Sequence, residues 1–416
     1  MAGGFRAHLR DPGDPRIAGI ADMDAYAWAQ RVLGIPRAAE LFASWRKRYA
    51  EDRFFGITTD GKRVPGLFQL APEGAPAAAM ADAADRLLQL AAPEERLALC
   101  HPLDAREWRG WMNPEVYLHR HGLRLDEVRP ALRDGVLAVL CASLSPKGYD
   151  KARGLMRINH FLGELVNAPR VMNEYSYNFN LFGTPSATAP WGWNFHGHHL
   201  CLNCLVVDGQ MVMTPVFMGA EPNRIDAGPH AGLAVLEDVE SRGLALMRAL
   251  PDAQQRRARL YERKRDPAMP PGRVAVGDEL HLCGAFQDNR VVPYEGIAGK
   301  DLGVPARRML LDLIAGYLDY LPDGPFQARM QAVERHLGET HLCWIGGTED
   351  DSPFYYRIQG PVLIVEFDHH AGVFLGNPEP EKFHIHTLVR TPNGNDYGME
   401  LIRLHCERER AKQLPA

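Results

Sequence analysis

The chain has 416 residues, 46% hydrophobic and 24% charged, with 39 glycines and 31 prolines, the composition of an ordinary globular protein. A formal net charge of −5 gives no reason to expect nucleic acid or an anionic membrane surface as partner. No apolar run reaches the ~18 residues that a membrane span needs, and the opening Met1-Ala2-Gly3-Gly4-Phe5-Arg6 lacks the apolar segment of an export signal, so a cytoplasmic protein is expected.

The length predicts two parts, residues 1–170 and 171–416. The first reads as mainly helical: Asp24 to Leu33, Ala77 to Ala91, Leu123 to Leu144 and Lys151 to Leu165 carry apolar residues at three-to-four spacing. Pro93-Glu94-Glu95-Arg96 reads as a helix start, with proline and acids in the first turn. Ser145-Pro146-Lys147-Gly148 breaks the pattern before a helix from about Tyr149, and Thr59-Asp60-Gly61-Lys62 marks an exposed turn. From about residue 172 the period becomes two, with Tyr175, Tyr177, Phe179 and Leu181 alternating against Glu174, Ser176, Asn178 and Asn180.

A loop from Gly183 to Pro190 leads to a histidine-rich strand, and Asp208-Gly209 supplies a hairpin turn between apolar strands. Residues 232–266 and Arg307 to Leu321 read as helical, with the basic run from Arg256 to Arg265 as the solvated face of a helix. Tyr355 to Ile358, Val362 to Phe367 and Phe383 to Val389 read as strands. The expectation is an α+β fold: a helical amino-terminal part, then a mixed part whose antiparallel β-sheet carries the histidine strands. The seven scattered cysteines read as reduced thiols, and the Cys201-Leu202-Asn203-Cys204 pair faces opposite sides of its strand.

Seven of the seventeen histidines fall in two windows, Trp193 to Asn203 and Glu366 to His386. In a strand an H-x-H triplet aims two imidazoles the same way. In the second window Ile364, Glu366 and Asp368 share one face, and His384, His386, Leu388 and Arg390 share another. If these strands pair, Glu366 or Asp368 lies beside His384 and His386, and two histidines with a carboxylate leave positions open for water or substrate. In the first window His198 and His199 are equal candidates and His196 a lesser one, while His369 and His370 read as exposed loop residues. Two neighbours in a regular strand cannot serve one metal, although a bulge at Gly197 would re-aim one. Trp191, Trp193, Tyr177 and Asn203 are candidates for a substrate pocket. Arg357 and Arg390 could hold a substrate carboxylate or pair with Glu366 and Asp368.

Longer strings carry a resemblance. Phe182-Gly183-Thr184-Pro185-Ser186, Pro190-Trp191-Gly192-Trp193 and Gly197-His198-His199-Leu200 with Asn203 resemble the family catalogued as domain of unknown function 3500. Tyr356-Arg357-Ile358 with Gly360-Pro361, Glu366-Phe367-Asp368, His384-Ile385-His386, Leu144-Ser145 with Gly148-Tyr149, and Thr58-Thr59-Asp60-Gly61 fit the same pattern, over roughly residues 50 to 405. The resemblance implies that His198 and His199 matter more than His196, and it assigns no activity.

The leading expectation is a metal-dependent enzyme acting on a small, carboxylate-bearing organic substrate through metal-activated water. His198 or His199, His384 and His386 would be the metal ligands, with Glu366 or Asp368 as ligand or general base and Arg357 or Arg390 as substrate clamp. The cofactor would be a divalent transition metal: zinc, manganese, iron or copper. The same site with iron or copper would serve a dioxygen-dependent oxidoreductase. A third expectation is a non-catalytic small-molecule or metal-binding protein. The expected partner is a small-molecule substrate, with homo-oligomer formation left open.

Overall fold

A computed structural model describes residues 4–413; of the opening segment read for a signal, Met1 to Gly3 lie outside. The helices are α1 (Ala25–Leu33), α2 (Pro36–Glu51), α3 (Ala77–Leu90), α4 (Pro93–Leu99), α5 (Pro130–Ser143), α6 (Pro146–Leu165), α7 (Glu237–Ala249), α8 (Asp252–Ala258), α9 (Val304–Leu318), α10 (Asp323–Arg335) and α11 (Met399–Gln413). The strands are β1 (Cys100–His101), β2 (Leu123–Arg124), β3 (Tyr177–Phe182), β4 (Trp191–Gly197), β5 (Leu200–Val207), β6 (Gln210–Ala220), β7 (Arg259–Tyr261), β8 (Ile297–Ala298), β9 (His341–Gly346), β10 (Phe354–Gln359), β11 (Ile364–His370) and β12 (Glu381–Arg390).

All twelve strands join one mixed sheet in the order β1-β3-β4-β5-β6-β12-β11-β10-β9-β7, with β2 on β3 and β8 on β9. Only the β1–β3 and β7–β9 pairs are parallel. The fold is α+β, as the change of period from helical to alternating implied. Helix boundaries follow local chemistry: the Asp24 side chain caps α1 at Tyr26 and Ala27, and Ser145 caps α6 at Gly148. That cap starts α6 at Pro146, a turn earlier than the apolar spacing suggests, because proline suits the first helical position. The stretch Leu123 to Leu144 is not one helix. Leu123–Arg124 pairs with Phe179 and Asn178, and the helix waits for Pro130.

The polar faces of the central strands are not solvated. Every residue of β3, β5 and β11 is buried, so the sheet is covered on both sides. On the polar side of β3 and β4, the Asn180 side-chain amide donates to Asn194 Oδ1 at 2.8 Å, a cross-strand pair. The main apolar cluster takes residues from Phe5 to Val389 and spans residue 170. Residues 232–266 are less helical than expected: α8 gives way to β7, and Lys264 is 5% exposed and contacts Asp368. Among the described residues no helix is long and apolar enough to cross a membrane.

Candidate metal centre

The first histidine window is a hairpin rather than one strand. β4 ends at Gly197, His198 and His199 form a two-residue turn, and β5 resumes at Leu200, which pairs with Gly197. His199 takes φ 60°, a left-handed value that among residues other than glycine favours asparagine, aspartate and histidine. Two backbone bonds hold it there, from His199 N to Asn113 O at 3.1 Å and from Gly219 N to His199 O at 2.8 Å. The turn brings together two neighbours that a strand would have sent to opposite faces. Their rings stack at 3.8 Å, and His198 Nδ1 lies 2.8 Å from Asn159 Oδ1.

Register then carries His199 across the sheet. Leu200 pairs with Met218, so His199 faces Gly219, and Gly219 pairs with His386 on β12. His386 in turn pairs with Asp368 on β11. Strands lie about 4.8 Å apart, so His199 and His386 reach toward each other over the intervening strand. They can do so because that strand presents glycine: a Cβ on Gly219 would sit 3.0 Å from His386 Cδ2. His384, two residues before His386, shares its face as the strand period requires.

Three ring nitrogens converge as a result. His386 Nε2 is 3.1 Å from His384 Nε2 and 3.0 Å from His199 Nε2. All three residues are buried, with exposures of 6%, 0% and 4% for His199, His384 and His386. The other nitrogens settle the tautomers. His384 Nδ1 is 2.8 Å from Ala371 O, a carbonyl that only accepts, so Nδ1 carries the hydrogen and Nε2 a lone pair. His386 Nδ1 is 3.2 Å from Asp278 Oδ1, which makes its Nε2 a lone pair as well. Burial alone would raise the Asp278 carboxyl, but His281 and His386 outweigh it and hold Asp278 below the ordinary carboxylate range. Burial pushes His386 down to about 3 and His199 well below its ordinary value, so neither ring takes a proton readily.

Two lone pairs facing each other, with a third nitrogen alongside, could hold a cation. One bound about 2.0–2.1 Å from each nitrogen, the usual zinc–imidazole length, spaces its ligand atoms roughly 2.9–3.4 Å apart. The observed spacing fits. His199, His384 and His386 could hold a metal ion, and so could Asp278, His370 and His386.

The surrounding carboxylates orient this set. Asp278 sits on the loop 278–283, which the expected catalytic carboxylates fasten to the sheet. Glu366 accepts from Leu282 N and Cys283 N, each at 2.8 Å, and from Tyr355 Oη at 2.7 Å. Asp368 accepts from Leu280 N at 3.1 Å and contacts the Lys264 ammonium. Glu221, fully buried, accepts from Val373 N and Leu375 N at 2.9 Å each, holding the loop whose Ala371 carbonyl receives His384.

Of the residues expected from sequence, the structure brings together His199, His384 and His386 and ties His198 to Asn159. His369 and His370 are not exposed loop residues. They end β11 at 0% and 4% exposure, with His370 stacked on His386 at 3.7 Å, because the strand runs three residues past Phe367. The expected arginine clamp is already neutralised. Arg357 donates to Glu295 Oε2 at 2.7 Å, and Arg390 lies 2.6 Å from Asp288 and 2.9 Å from Asp396. Trp191, Trp193, Tyr177 and Asn203 are core residues whose side-chain donors are spent internally. They meet Ser186 O, Ser143 Oγ, His198 O and Pro215 O respectively.

Asp278, His281 and Glu221 escaped the sequence reading. The signal for two of them was Asp278-Glu279-Leu280-His281 between Gly277 and Gly284, a carboxylate and an imidazole three apart in a segment with no period. Residues 73–399 match the family model described as Protein of unknown function (DUF3500). No curated protein and no solved structure matches the chain.

Proposed function

The chain belongs to the DUF3500 family, and from that premise and its buried histidine centre we propose that it is a metal-dependent enzyme acting on a small organic molecule through metal-activated water. The observation that carries this reading is the convergence of three Nε2 atoms at 3.0 and 3.1 Å, two of them obliged to present lone pairs. A tripod of imidazoles leaves coordination positions open, as catalytic metals require. A cation there would lower the pKa of water toward about 7 and polarise a carbonyl.

The protein's own groups supply the rest. Asp278 and the Ala371 carbonyl fix two of the rings and raise their basicity, as outer partners of metal-bound histidines do. His281 is the proton-carrying group of this reading: burial alone would lower it, but Asp278 outweighs burial and holds the ring above its ordinary value. It is 2% exposed, both its ring nitrogens lack hydrogen-bond partners, and its Nδ1 is 3.5 Å from Asp278 Oδ2. Glu366 and Asp368 act at one remove, through the loop that carries Asp278 and His281. With Arg357 and Arg390 neutralised, the reading keeps a small organic substrate without requiring a carboxylate on it. A small cavity of about 30 Å³ at the histidine turn is lined by His196 and His198, and none of the three triad rings lines it.

The test is elemental analysis of protein purified without a histidine tag, with His199→Ala and His384→Ala beside it. Zinc or manganese at one equivalent or more, with the triad's equivalent absent from both variants, is the expected result. Iron or copper lost the same way, with oxygen uptake on turnover, would move the reading to an oxidoreductase, since imidazoles suit those metals too. Metal-free wild-type protein that takes up none of the four ions would defeat it.

A further inference from the structure

Beside the triad lies a second set of buried donors that one cation leaves unused. Asp278, His370 and His386 each offer a ligand atom, all within 4.8 Å of one another. Asp278 Oδ2 and His370 Nε2 have no hydrogen-bond partner, and their residues are 8% and 4% exposed. Native proteins rarely orphan such atoms, and here a carboxylate oxygen and an imidazole nitrogen are orphaned together. His370 Nε2 is 3.2 Å from Asp368 Oδ2, but Asp368 is already committed to Lys264 and Leu280 N.

The chain also keeps room for this carboxylate. A Cβ on Gly284 would lie 2.2 Å from Asp278 Oδ2, so any other residue would push Asp278 out. The His370 and His386 rings are 3.7 Å apart at 30°, which lets one nitrogen of each face the same side. His386 is thus addressed from both edges: Nε2 meets the triad, and Nδ1 meets Asp278 at 3.2 Å.

We propose that Asp278, His370 and the Nδ1 edge of His386 hold a second divalent transition-metal ion, making a two-metal centre bridged by the His386 ring. The proposal rests on the triad reading above. When the second ion binds, the Nδ1 proton of His386 passes to solvent and its lone pair forms the new metal bond. The ring then serves as an imidazolate through both nitrogens, and the Asp278 oxygen exchanges its hydrogen bond for the metal. No oxidation or reduction is involved. Linked through a whole ring, the ions sit farther apart than the about 3.5–4 Å of pairs that share one bridging oxygen.

The experiment combines metal counting with spin counting. Apoprotein is loaded with excess copper(II), freed of unbound ion, and analysed for copper content and for integrated paramagnetic resonance intensity. The same is done for His370→Ala and His199→Ala. Two equivalents in wild type, one in each variant, and a wild-type signal well below that of two isolated ions are expected, because an imidazolate couples the two spins. One equivalent in wild type, kept in His370→Ala and lost in His199→Ala, overturns the second site and leaves the triad standing. Two equivalents at full uncoupled intensity overturn the bridge, and no copper bound overturns both readings. Should either variant fail to fold, the wild-type count and intensity decide alone.

Discussion

Gly219 lies between His199 and His386 in a row that crosses three strands, and a Cβ there would stand 3.0 Å from both His386 Cδ2 and Ile385 O. Gly219→Val therefore forces the His386 ring aside while leaving the strand pairing possible. We expect metal affinity to fall on the order of tenfold or more, the scale seen when a ligand loses its support, in a chelator competition assay. Unchanged affinity would mean that the two rings do not meet across this strand.

Asp288 is the other telling single residue. It receives Arg109 Nε at 2.7 Å, Arg390 at 2.6 Å and Tyr397 Oη at 3.0 Å, all buried. Burial alone would raise its carboxyl, but Arg390 and Arg109 outweigh this and hold it below its ordinary value. Its contribution is complete above the unfolded value of about 3.9 and disappears as pH falls through the lower folded value. Asp288→Asn should cost about 3 kcal/mol, the lower end for a buried pair losing one partner, since Asp396 still faces Arg390. Denaturant titrations should show that penalty at neutral pH and a shallower loss of stability below about pH 4 than wild type. Parallel acid limbs would remove Asp288 from the account.

At the scale of elements, the centre depends on a loop with no regular structure. Segment 278–283 lies over β10 to β12 because Glu366 and Asp368 accept its amides. Hydrogen bonds to a charged group are worth about 1.5–3 kcal/mol. Glu366→Gln keeps the shape and one acceptor but cannot serve both Leu282 N and Cys283 N. Amide exchange at those two residues should quicken by ten- to a hundredfold, on the order implied by that energy. Protection equal to wild type would show that the loop is held some other way. The hairpin at His198-His199 is the second such element. Its left-handed residue, anchored to Asn113 and Gly219, decides which of two adjacent histidines joins β12.

At the scale of the whole molecule, the triad joins the β4–β5 turn to β12, and Asp278 adds the long crossing between α8 and α9. An ion binding only the folded state at a hundred times its dissociation constant adds about 2.7 kcal/mol. Removing metal with a chelator should lower the melting temperature by a few degrees, and restoring zinc should recover it. A melting curve indifferent to both would show that the ion does not bridge these segments.

What the chain determined by itself is local and periodic. Alternation placed His384 and His386 on one face of β12, because successive strand side chains point to opposite sides. Three-to-four spacing marked α1, α3 and α6, and Asp208-Gly209 marked the hairpin between β5 and β6. Only the tertiary structure could choose His199 over His198, since the choice rests on a two-residue turn and on Gly219 in the intervening strand, and neither shows in a period. It alone brought in Asp278, which lies 108 positions from His386, and turned Glu366 and Asp368 from expected catalysts into anchors. The physical reason is that a strand's period fixes which way a side chain points. What stands opposite depends on register across the sheet and on loops with no period, and both are properties of the assembled fold.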